Sequence, residues 1–289
     1  MTGIMQGRLS VPFRGHLQSF PVGSWAQEFS RAAAAGLDAI EWIYDTVGAG
    51  ANPLETDGGI ATVHALSQEH AVAVDSVCAD WFMAHRLALG CSQDRAAALG
   101  DLRWLLARCA RLGASRMVLP FVDSSALTSP SELDDAVRVL RDIAPEAAQL
   151  GVELHLETSL APRPFRELLD RVDHPGVRVN YDIGNSASLG YCPAEELAAY
   201  GDRLGSLHVK DRELGGTTVP LGTGAADFAA VFLTLSRIDW SGPVVLQAAR
   251  GRPGGEVDQA RADAAFVAQL QRQWCPRRCH DDDARPAFT

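Results

Sequence analysis

No apolar run in this chain approaches the roughly 20 residues that span a bilayer. The opening residues, MTGIMQGRLS, lack a charged stretch followed by an apolar one, so no secretory leader is expected. There is no basic stripe. The formal net charge is −10 and the isoelectric point is near 5.2, the wrong sign for gripping a phosphate backbone. Cysteine is sparse: six residues, widely scattered, without the density of a disulfide scaffold. Cys275 to His280 (CPRRCH) resembles half of a metal clip, but no second half exists, so residues 275–289 read as a polar C-terminal tail. No Gly-x-Gly-x-x-Gly follows an early strand candidate, which disfavours a dinucleotide-binding sheet. These absences point to a cytoplasmic, reduced protein with no nucleic-acid and no membrane partner.

What remains is 47% hydrophobic and 21% charged, ample material for a sizeable core. Short apolar runs alternate with longer amphipathic ones. The strand candidates are 3–6, 39–44, 72–79, 116–122, 152–157, 177–182, 205–210 and 244–249. Between them lie helix patterns that stop at Gly36, Gly113 and Gly151, the usual residue just past a helix. SPSE and CPAEE place proline in the first turn with an acid soon after, as a helix start requires. Eight β-then-α units without a break in composition predict an α/β fold, a single (β/α)8 TIM barrel over residues 1–274.

Such a barrel keeps its active site at the C-terminal ends of its strands. There the sequence offers Glu41, Asp80, Glu157, Asp182, His208 with Lys210 beyond it, and Gln247. Strand alternation sets Glu157 on a face with His155 and Glu153, Asp182 with Asn180, and His208 with Ser206. The opposite faces are apolar, so the polar set should look inward. Glu157 alone would suit an arginine partner, and His208 alone a satisfied core position. Two carboxylates and an imidazole converging at the barrel top instead call for a balancing cation, and a divalent metal has the right ligand chemistry. His155, two residues deeper, reads as a hydrogen-bonded core histidine.

Four segments, VELHLET, VNYDIGN, GSLHVKD and PLGTGAADF, resemble the xylose isomerase-like TIM-barrel superfamily, and the likeness runs from GIMQGRLS and GLDAIEW to the last strand candidate. That superfamily holds sugar and sugar-phosphate isomerases and 3-epimerases, with inosose dehydratases and the endonuclease IV class as relatives. The resemblance implies a divalent metal, Mn2+ first and Mg2+, Co2+ or Zn2+ as alternatives, on Glu157, Asp182, His208 and Gln247. Three of these match the family pattern. Gln247 departs from it, since a glutamate usually ends the last strand; Asn185 stands where a histidine often follows the Asp182 position. The extra histidines of the endonuclease class are lacking.

The family's epimerases use two facing glutamates as bases, and a glutamine cannot titrate in that role. An isomerase or epimerase of a sugar or sugar phosphate is therefore expected, working through a metal-stabilised enediolate with Glu157 as base and Lys210 assisting at oxygen, with one-base chemistry favoured. A dehydratase or a non-catalytic sugar-binding paralogue is the alternative. Glu41, Gln6, Arg8, Asp80, Trp81, Asn185 and Arg250 are expected to line the substrate site, with Arg250, Arg212 and Lys210 available to an anionic group. The expected partners are a small carbohydrate and further copies of the chain, as a homodimer or homotetramer.

Overall fold

Leu154 and Leu156 face one side of a strand while His155 and Glu157 face the other, and all four are buried because helices cover one side and a closed barrel the other. The computed structural model describes residues 1–88 and 92–274. The expected tail at 275–289 lies outside them. Ten strands follow in chain order: β1 (Thr2–Met5), β2 (Ala39–Ile43), β3 (Ala73–Cys78), β4 (Arg116–Phe121), β5 (Glu153–Thr158), β6 (Val177–Asp182), β7 (Leu204–Val209), β8 (Asp211–Arg212), β9 (Thr218–Val219) and β10 (Val244–Leu246). Eight of them close a parallel barrel in the order β1-β10-β7-β6-β5-β4-β3-β2, while β8 and β9 form a separate antiparallel hairpin. The predicted barrel is the observed one.

Local chemistry explains the helix limits. The helix Pro130–Gln149 opens with a capping box: Ser129 Oγ accepts from Glu132 N, and Glu132 Oε2 accepts from Ser129 N. The helix Gln27–Ala35 stops at Gly36, whose φ of 76° is the left-handed conformation that costs other residues strain. Gly205 in β7 has a different reason to be glycine. A Cβ there would lie 2.5 Å from His155 Cε1, so the missing side chain makes room for a buried imidazole.

Two strand irregularities sit beside the polar interior. Pairing shifts between Val179 and Asn180 in β6, and between Ala39 and Glu41 in β2. The first brings Asp182 directly opposite His208. Bulges of this kind re-aim side chains near sites.

The loop after β1 is tied down from several directions. Gly7 N donates to Glu28 Oε2 at 2.8 Å, and Glu28 is buried. Burial pushes the Glu28 carboxyl up from 4.5 to about 7. The folded state therefore keeps a proton that the unfolded chain releases above pH 4.5. Stability from this group is full below that value and is lost as pH rises toward about 7. Glu28→Gln removes the dependence. The stability of wild type relative to the variant is expected to fall by about 1–3 kcal/mol between about pH 5 and about pH 8, measured by denaturant unfolding. A difference that stays flat across that range would contradict the assignment.

Candidate functional site

Glu157, Asp182 and His208 each present one ligand atom, and these atoms lie within 4.8 Å of one another. Among the described residues they form one buried group of this kind, the residues being 6%, 3% and 0% exposed. Each arrives from a neighbouring strand, β5, β6 and β7. The polar strand faces predicted from the alternation do point inward together.

Every member is held by neighbours. Asn180 Nδ2 donates to Glu157 Oε2 at 3.1 Å, and Asn185 Nδ2 donates to Oε1 at 2.6 Å. Asp182 Oδ1 accepts from Asn185 N at 2.8 Å and so caps the short helix Ile183–Ser188, while Oδ2 lies 3.5 Å from Lys210 Nζ. His208 Nε2 is 2.7 Å from Glu41 Oε1, and Ser76 Oγ donates to Glu41 Oε2 at 2.7 Å. With Nε2–H turned to Glu41, Nδ1 is the ring nitrogen that faces Glu157, 3.3 Å away.

Electrostatics follow from burial and these contacts. Burial alone would raise the Glu157 carboxyl, but His208 and then Lys210 more than offset it, leaving Glu157 below its ordinary value. Asp182 is raised, because burial outweighs Lys210. Burial lowers His208, yet Glu41 and Glu157 lift it to about 10. An imidazole so surrounded by acids is a position where positive charge is wanted. A cation held on Nδ1 would take the place of the second ring proton.

The donor set fits a divalent ion. Two atoms decide this: His208 Nδ1 and Gln247 Oε1 are buried and have no hydrogen-bond partner in the structure. Glu157, Asp182 and His208 offer two carboxylates and one imidazole, and Gln247 Oε1 would add an amide carbonyl, a set that hard and borderline cations accept. Glu41 then stands behind His208 as the carboxylate that fixes its ring. Glu41→Ala is expected to weaken Mn2+ binding by about 10–100-fold in calorimetry. Unchanged affinity would remove Glu41 from that role.

The residues expected to line a substrate site also carry contacts within the protein. Glu41 has both oxygens committed to His208 and Ser76. Asn185 gives its amide to Glu157 and accepts from Arg212 Nη1 at 2.9 Å. Arg250 donates through Nε and Nη1 to the carbonyls of Leu17, Gly7 and Ser10 and pins the loop after β1. Arg8 donates to Leu17 O and Gln18 Oε1. Trp81 stacks on His85 at 4.0 Å, packs against Tyr44 and donates to Asp101, so it belongs to an aromatic cluster. Gln6 accepts from Ile43 N and keeps a buried Nε2 without a partner. Asp80 accepts from Gln18 and Cys78, and burial pushes its carboxyl up to about 6. His155 is fully buried between Ser206 Oγ and Glu153, a satisfied core histidine.

Asp211 is a residue that the sequence reading passed over. It accepts backbone N–H groups from Gly222, Gly224 and Ala226 and so orders the PLGTGAADF loop. Lys210 carried an unread signal: it is the sole lysine in the sequence, and every other basic chain among the 26 Lys and Arg is arginine. Where a chain uses arginine everywhere else, one lysine suggests a place that wants a compact ammonium.

A family model described as a xylose isomerase-like TIM barrel matches residues 29–270. The 3-oxo-isoapionate decarboxylase of Pectobacterium atrosepticum is 32% identical over 123 residues, 39% of this chain and 44% of that one. The L-ribulose 3-epimerase of a Methylomonas species is 30% identical over 121 residues, 39% of this chain and 41% of that one. The matches thus span less than half the length of either relative. A crystal structure of an IOLI protein with a binding zinc atom superposes with a TM-score of 0.75 at 16% identity, covering 94% of this chain and 98% of that one. Among the described residues no helix is long and apolar enough to cross a membrane.

Proposed function

Because the chain belongs to the xylose isomerase-like TIM-barrel family, we propose that it is a divalent-metal-dependent isomerase acting on a sugar, with Glu157 as the base. The observation that carries this reading is the buried convergence of Glu157, Asp182 and His208 at the barrel top. Gln247 is the fourth donor. Mn2+ is the first choice of ion, and a solved structure of the same fold holds a zinc atom. When bound, such an ion polarises a substrate carbonyl and steadies the negative charge that develops on its oxygen.

Glu157 takes a proton from the carbon beside the carbonyl. Asn180 and Asn185 hold both of its oxygens, so its geometry is set before substrate arrives. The same carboxyl then returns the proton to the adjacent carbon on the same face, which interconverts aldose and ketose. Gln247 does not titrate near neutral pH, so it cannot act as a second acid or base. Lys210, beside Asp182, supplies a cation and a proton donor near the substrate oxygens.

The environment favours a neutral sugar over a phosphorylated one. Arg8, Arg212 and Arg250 are committed to backbone carbonyls and side-chain amides. Mn2+-loaded protein is expected to turn over a free ketose with kcat/KM at least about tenfold above that for its phosphate. In deuterated water, label should enter at the carbon next to the carbonyl. Inversion at C3 with solvent deuterium would sink the one-base scheme.

Decarboxylation of a 3-oxo sugar acid is the second reading. It is favoured by the decarboxylase among the relatives and by the glutamine, since loss of carbon dioxide needs no second base. Release of carbon dioxide from such an acid, with no ketose turnover, would select it.

A further inference from the structure

Gln247 can serve a cation only through its carbonyl oxygen. Turned about, it would present an N–H2 donor instead. The network around it determines which end faces the site. Asp80, when ionised, can only accept, and Gln18 Nε2 donates to its Oδ2 at 2.8 Å. At the other end of the same amide, Arg8 Nη2 can only donate, and it reaches Gln18 Oε1 at 3.2 Å. A carboxylate and a guanidinium thus fix Gln18 from both ends. Its Oε1 is then the acceptor that meets Gln247, whose Nε2 donates to it at 2.8 Å. Gln247 is left with Oε1 as its remaining polar atom, buried and without a partner. Buried acceptors of that kind usually mark a missing ion or water. Val245 pairs with His208 in the barrel, and Gln247 follows two residues later on the same strand face.

We propose that Gln18 is a positioning residue for the metal site: it holds the Gln247 amide with its carbonyl oxygen toward Glu157, Asp182 and His208. This rests on the metal reading given above. The loop carrying Gln18 is itself fastened, by Arg250 to Leu17 O and by Arg8 to Leu17 O. Polarity therefore passes from Asp80 and Arg8, through two amides, to one ligand atom.

Titration calorimetry with Mn2+ tests the proposal without reference to activity. Gln18→Leu is expected to weaken Mn2+ binding by about 10–100-fold, because Gln247 loses the acceptor that orients it. In a Gln247→Glu background the same change should bring no weakening, since a carboxylate has two like oxygens and no wrong way round. Gln18→Met, close to glutamine in length, repeats the comparison should the leucine variant fail to fold. Equal weakening in both backgrounds would show that Gln18 merely braces its loop and would overturn the proposal. So would wild-type affinity in Gln18→Leu. Failure of the wild-type protein to bind Mn2+, with Glu157→Gln and Asp182→Asn behaving the same way, would instead strike down the metal reading on which the proposal stands.

Discussion

Glu157→Gln is expected to lower kcat by about a thousandfold or more and to leave the barrel folded. General-base catalysis contributes roughly 10²–10⁴-fold by itself. The same substitution removes one of the two carboxylates in the donor set, so the loss should reach the upper part of that range. Folding pays a smaller penalty. Both Glu157 oxygens accept from asparagine N–H groups, and a glutamine amide can offer an acceptor to only one of them. One donor is left unpaired, at about 1–3 kcal/mol, which shifts the thermal midpoint by only a few degrees in a chain of this size. Calorimetry and turnover on one preparation separate the two effects. Activity within tenfold of wild type would remove Glu157 as the base.

Gln247→Glu should act in the opposite direction. The wild-type donor set carries two negative charges, and the variant carries three. A unit charge about 4 Å from a 2+ ion is worth roughly 8 kcal/mol at an effective dielectric of 20. Desolvation of the new carboxylate takes back much of that, and Gln18 Oε1 faces it unfavourably. The net expectation is Mn2+ binding tighter by about tenfold, or about 1.4 kcal/mol. The chemical change matters more. A second titratable carboxyl at the last strand gives the site a base on the face opposite Glu157. Ketose incubated with this variant in deuterated water should exchange at C3 and invert there, which wild type should not do. Tight metal binding without C3 exchange would show that position 247 does not reach the substrate carbon.

Much of this was legible in the sequence because the physics is local. Apolar alternation at period two separates Leu154, Leu156, Val179 and Leu207 from His155, Glu157, Asn180 and His208, and burial places the two sets on opposite sides of the barrel wall. Glycine past a helix and the Ser129–Glu132 box are equally local. The grouping of Glu157, Asp182 and His208 followed from strand ends in sequence order. What escaped were contacts between residues far apart in the chain. Glu41 meets His208 across 167 positions, Gln18 meets Gln247 across 229, and Arg250 meets Gly7 across 243. No periodicity announces these, so the partners of Glu41, Gln18 and Arg250 carry no local signal in the sequence. The hairpin β8–β9 also escaped, because two-residue strands leave no pattern. The helix Ile183–Ser188 is capped by Asp182 itself, a residue that read first as a strand end.

The sole lysine has a practical consequence. Lys210 and the α-amino group are the only primary amines this chain possesses. Reductive methylation with isotope-labelled formaldehyde would therefore place one reporter 3.5 Å from Asp182 and another at the chain start, with no background from elsewhere. The Lys210 methyl resonance should move when Mg2+ or Zn2+ is added and broaden with Mn2+, while the other signal serves as internal reference. Apart from the chain start, such chemistry marks one position, and that position lies beside Asp182.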